Sequence, residues 1–228
     1  MCFSPEADLV TGMAIMAIGV DSMAHVRNRR EISLASLPLL LGAHTLVETF
    51  VWWSHSGQVS TGTGRLATVT YLVLAFCVLP ILVPTGVIGI EPSSRGRRRM
   101  LPFLALGAGV SVALGYFLAL GPVSVSAERF YLAYEVPMKA GGLIVALYVV
   151  ATCVPLLLSG YRHVVVFGAV NLAAAATFAA LLSAGFISIW CVWAALASGA
   201  IALHLRLTQH DRGTARTHVS FLPQIRPG

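Results

Sequence analysis

Residues 39–55 read LLLGAHTLVETFVWWSH. The stretch is long and apolar enough to cross a bilayer, yet it carries His44 and Glu48 four residues apart. Trp52 follows after another four, so the three side chains share one face of a helix, and His55 closes the run. A carboxylate inside a hydrocarbon-length helix is costly and marks a functional site. The rest of the chain reads as the scaffold that houses Glu48.

Composition agrees with a membrane setting. Of 228 residues, 57% are hydrophobic and 11% charged, and the mean hydropathy is +0.82. A soluble domain carries about a quarter charged residues, so charge is depleted roughly twofold. The pI near 9.6 is no sign of nucleic acid, because the arginines fall mostly in short loops between apolar runs. Cys2, Cys77, Cys153 and Cys191 are scattered, three of them inside apolar runs, with no zinc-like spacing. No basic region precedes the first apolar run, so no cleavable signal is expected.

The pattern predicts an all-α integral membrane protein, a seven-helix bundle over residues 1–207 with a polar tail at 208–228. The apolar runs are 7–26, opened by Ser4-Pro5-Glu6 as a helix start, then 34–54, 66–88, 100–120, 136–158, 164–184 and 187–207. Only Gly185-Phe186 separates the last two, which predicts a tight helical hairpin. Arg27, Arg29, Arg30, Arg95, Arg97, Arg98, Arg99, Arg162, Arg206, Arg212, Arg216 and Arg226 fall on one side, twelve of the fifteen Lys and Arg. The positive-inside rule makes that side cytoplasmic, with the N-terminus outside and the C-terminus inside. Of the outer loops, residues 56–64 read as a flexible turn, and 121–135 as an interfacial helix or lid. FCVLP at 76–80 and TCVP at 152–155 are a faint internal echo of the kind a repeat-built transporter shows.

On this topology Glu48 lies roughly 9 Å below the outer end of its helix, with His44 one turn deeper. Desolvation favours the neutral acid unless His44 carries a charge to pair with it, and a neutral acid in a dry pocket is a competent proton donor. Trp52, Tyr71, Tyr116, Tyr134, Trp190 and Trp193 fall at similar depth. Aromatic faces stabilise cations without attacking them. Asp8, Glu6 and Glu135 are candidates for a second acid. Asp21 and His25, near the inner end, read as solvated or paired with Arg27. Asn171 reads as a bond between helices.

Several classes are set aside. The only lysine, Lys139, is not in a last helix where retinal would need it. No set of converging His and Asp residues predicts a metal, and no paired histidines at matched depth predict a haem.

The opening Met1-Cys2-Phe3-Ser4, with a second helix ending Glu48-(x3)-Trp52, resembles a group of small bacterial membrane proteins that begin Met-Cys-Phe-Ser. Seven spans with an acid in the second also resemble the small integral-membrane terpene cyclases. The first likeness implies a multi-pass protein of the bacterial cytoplasmic membrane. The second implies a non-redox cyclase needing no metal or cofactor, in which Glu48 protonates an alkene or epoxide of a prenylated, lipophilic substrate drawn from membrane lipid. His44 would then orient Glu48 or return its proton. A proton-coupled transporter or channel using Glu48 and His44 is the alternative.

Overall fold

The computed structural model describes residues 4–127, 132–138, 140–181, 195–203 and 206. Helix α1 (Pro5–Ala24) begins where the Ser4 hydroxyl accepts the Ala7 N–H at 3.2 Å. Pro5 occupies the first position, where no N–H is needed. A turn at Arg29–Glu31 and the short α2 (Ile32–Ala35) lead into α3 (Leu37–His55). Then α4 (Thr61–Val73), a π-helical stretch (Leu74–Val78) and α5 (Leu79–Ile90) run on as one rod. After α6 (Ser94–Leu120) come an antiparallel hairpin, β1 (Ser124–Ala127) and β2 (Leu132–Glu135), then α7 (Gly141–Leu157) and α8 (Arg162–Leu181). Residues 195–203 are helical and are labelled α9.

The architecture is thus largely helical. Among the described residues, four stretches are long and apolar enough to cross a membrane: Pro5–Ala24, Arg29–His55, Thr61–Ile90 and Ser94–Leu120. Gly141–Leu157 and Arg162–Thr177 are apolar but shorter. The fifth expected run loses its first residues because Pro137 and a left-handed Ala140 (φ 59°) hold off the helix until Gly141. Two runs start earlier than hydropathy alone implied. Ser60 accepts the Thr63 N–H at 3.1 Å and Ser93 accepts the Gly96 N–H at 2.9 Å, each capping a helix ahead of its apolar part. Arg95, Arg97, Arg98 and Arg99 therefore lie in the first turns of α6 rather than in a loop. The expected turn at Gly185-Phe186 and the tail lie outside the described residues.

Glycines set the register of α1 against α3. A Cβ on Gly12 would sit 2.7 Å from Leu46 Cγ, one on Gly42 2.8 Å from Met16 Cγ, and one on Gly19 2.6 Å from the Leu39 nitrogen. Without those Cβ atoms the backbones approach closely, as small residues allow between helices. The facing pairs descend α1 as they climb α3, so the two helices are antiparallel. Elsewhere α3 packs on α4, α5 on α6 and α7, α6 on α7, and α7 on α8.

The α4–α5 rod is interrupted, and its neighbours compensate. Pro80 has no N–H to donate, and the π-helical turn just before it displaces the carbonyl ladder. Ser111 Oγ of α6 donates to the Cys77 carbonyl at 2.8 Å, and Tyr148 Oη of α7 donates to that of Ala75 at 2.9 Å. At one end of the bundle, Leu132, Val125 and Tyr134 of the hairpin pack on Val51 and Trp52 of α3 and Ala67 of α4. At the other, arginine-rich end, Glu91 Oε2 accepts the Gly160 N–H at 2.8 Å and Oε1 accepts from Ser93 Oγ at 3.1 Å.

Candidate functional site

The site lies at the hairpin end, between α1, α3, α4 and β2. On α3, His44, Thr45, Glu48 and Thr49 form a polar stripe, all buried. The Glu48 side chain is 0% exposed, and so is that of Asp8. The glycine register explains why they belong together: carried up from Gly12 opposite Leu46, it brings Asp8 opposite residue 50, one turn or less from Glu48 in depth. Two carboxyl groups from different helices thus share one dry layer.

Aromatic rings roof this layer. The His44 ring lies on Tyr71, centroids 3.9 Å apart and planes 22° from parallel. Tyr71 in turn stacks on Tyr134 at 4.7 Å and 12°. Tyr71 is fully buried, and Tyr134 comes from β2, so the hairpin reaches into the site through this stack. The described residues of the 121–135 loop thus form paired β-strands and not the expected interfacial helix. Strand register explains the choice: Val125 pairs with Tyr134 and Ala127 with Leu132, with Leu132 and Ala133 turned to the protein. Trp52 is half-buried beside it. Among the described residues, His44 Nε2, Thr49 Oγ1 and Trp52 Nε1 are buried without a hydrogen-bond partner. The layer therefore holds hydrogen-bonding capacity that the fold itself leaves unused.

Other expected residues fall elsewhere. Tyr116 is not part of the wall: it is 61% exposed on the outside of α6, edge to face with Phe117. Its helical phase points it away from α4, since Ser111 and Leu114 carry the contact face. Glu6 is exposed at the start of α1, and Glu135 is exposed on the hairpin, where it accepts from Ser124 Oγ at 3.2 Å. Neither shares the buried layer with Glu48. Trp190 and Trp193 lie outside the described residues. Asp21 pairs with Arg206 at 2.8 Å rather than with Arg27, and His25 Nδ1 meets the Asp21 carbonyl at 2.7 Å. Asn171 does bond between helices, Nδ2 donating to Cys153 Sγ at 3.2 Å. Among the described residues no group of three His, Cys, Asp or Glu is arranged to hold a metal ion.

A second feature carried no signal in the sequence. A cavity of about 220 Å³ opens between α3, α5, α7, α8 and α9. Its wall includes Leu37, Leu41, Val83, Phe167 and Ile201, with Tyr148, Thr152, His163 and Asn171 as the polar members. Glu48 does not line it. Leu41 lies seven residues before Glu48, so the two features are separated by about 10 Å along α3. The cavity extends toward the arginine-rich end, where Leu34, Ile90 and His163 line it.

No curated protein and no solved structure matches the chain. Residues 1–217 match a family model, and the chain belongs to that family, described as Family of unknown function (DUF6629).

Proposed function

We propose that this chain is a proton-coupled carrier of a small lipid-soluble solute. It sits in the bacterial cytoplasmic membrane as seven spans, with the N-terminus outside and the C-terminus inside. The arginine clusters around Arg27–Arg30 and Arg95–Arg99 support that orientation. Glu48, with Asp8 and His44, is the proton site, and the cavity takes the solute.

The observation that carries this reading is the separation of the two features. A catalytic acid must touch the atom it protonates, whereas a coupling acid acts at a distance by changing the relative energies of two helix arrangements. Helix α3 links both sites, bearing Leu37 and Leu41 in its first turns and His44 and Glu48 in its middle. The π-helical stretch with Pro80 and Pro84 gives the opposite wall a place to bend.

A second reading, a protonation-initiated cyclase acting on a prenylated lipid, is favoured by the His44–Tyr71–Tyr134 stack, a π wall beside an acid. It requires the hairpin to lift so that substrate reaches Glu48. One experiment separates the two. Purified protein in liposomes is given an imposed pH gradient and a panel of lipid-soluble compounds, and the recovered compound is analysed by mass spectrometry and chromatography. Gradient-dependent accumulation of unchanged compound supports the carrier. Conversion to a cyclic isomer supports the cyclase, and accumulation indifferent to the gradient contradicts coupling.

A further inference from the structure

We infer that the cavity at the arginine-rich end binds a small uncharged amphiphile whose polar head donates a hydrogen bond, an alcohol or a primary amide on an apolar body. The inference deepens the carrier reading, resting on it for the ligand's role but not for the binding itself.

The argument is one of donor and acceptor supply. Most of the wall is aliphatic or aromatic, with Leu34, Leu37, Val83 and Val87 among its members, which sets the apolar body. The two hydroxyls of the lining have their protons committed elsewhere. The Tyr148 hydroxyl donates to the Ala75 carbonyl at 2.9 Å. The Thr152 hydroxyl donates to the Tyr148 carbonyl at 2.9 Å. A hydroxyl group has one proton and two lone pairs, so what Tyr148 and Thr152 retain for a ligand is oxygen that accepts. One of the two Nδ2 protons of Asn171 is likewise given to Cys153 Sγ. Among the described residues no Asp, Glu, Lys or Arg lines the cavity, so none of these pairs with a charged head of either sign, and burying one unpaired is prohibitive. A ligand that only accepts leaves these oxygens facing it without a donor, and such mismatches discriminate strongly.

The test uses the full chain in lipid nanodiscs, with tritiated 1-octanol as the probe and empty nanodiscs as background. Unlabelled octanamide, methyl octyl ether and octanoate compete. The expected result is saturable octanol binding displaced by octanamide, with the ether and octanoate at least about tenfold weaker. Thr152→Val keeps the volume and removes the accepting oxygen, and it weakens octanol roughly five- to tenfold. Ala200→Trp fills the cavity and abolishes saturable binding. Equal displacement by the ether, or unchanged affinity in Thr152→Val, overturns the inference. Should Ala200→Trp fail to accumulate, the ether comparison and Thr152→Val decide alone. Saturable, donor-selective binding without gradient-driven uptake would remove the carrier reading and leave this one standing. Uptake without donor preference would do the reverse.

Discussion

The His44 ring lies flat on that of Tyr71, their centroids 3.9 Å apart, and through Tyr71 the helix that bears Glu48 is joined to Tyr134 on the hairpin. The hairpin and the helix that bears the buried acid are therefore joined by direct ring contact. That contact sets the first prediction.

Tyr134→Ala removes one partner of the stack while leaving the strand backbone paired. An aromatic pair contributes about 0.5–1.5 kcal/mol beyond its buried area. Amide hydrogen exchange across residues 124–135 should rise by roughly three- to tenfold, and Tyr134→Phe, which keeps the ring, should leave it near wild type. Unchanged exchange in the alanine variant would show that the hairpin is held by Leu132 and Val125 alone.

The α1–α3 contact is held close by glycine, and a single methyl group tests it. In Gly19→Ala the new Cβ would meet the Leu39 backbone nitrogen at 2.6 Å, and backbone cannot swing aside. Overpacking of this kind costs about 1–3 kcal/mol. Gly109→Ala, whose Cβ meets nothing within 4 Å, should be neutral or slightly stabilising, because alanine is the better helix former. Thermal unfolding in detergent compares the two, and equal midpoints would contradict the packing described.

Glu91 is the corresponding test at the arginine-rich end. It is 3% exposed and accepts from Gly160 N–H and Ser93 Oγ, tying the end of α5 to the approach to α8. Glu91→Ala leaves a partly buried N–H without its acceptor, a loss of about 1–3 kcal/mol. Breaking the Asp21–Arg206 pair by Arg206→Ala should cost less, about 0.2–1 kcal/mol, because Arg206 is 58% exposed. The same unfolding assay ranks the two, and the reverse order would contradict this account.

The parts of this protein that follow from transfer energy were legible in the chain. Long apolar runs announce helices, and a glutamate four residues from a histidine announces a shared face. What required the fold was contact between distant segments. That Asp8 comes level with Glu48 depends on the α1–α3 register, which Gly12, Gly19 and Gly42 set by close approach and which no periodicity encodes. The short alternation in Ser124–Ala127 was too brief to distinguish a strand from a loop among aromatic residues that also suit a membrane surface. Tyr116 has the right depth and the wrong phase. The cavity was invisible because it is a shape left between aliphatic side chains, and its polar residues, Tyr148 and Thr152 on α7 with His163 and Asn171 on α8, meet only when those helices pack.

The central claim, that Glu48 is the proton site coupling an imposed gradient to the distant cavity, is tested most directly by Glu48→Gln in proteoliposomes. Net accumulation driven by the pH gradient and exchange of labelled for unlabelled solute without a gradient are measured side by side. Glutamine mimics the neutral acid, so the account predicts gradient-driven accumulation falling to the level of empty liposomes while exchange persists within about threefold of wild type. Full gradient-driven accumulation in Glu48→Gln would contradict it.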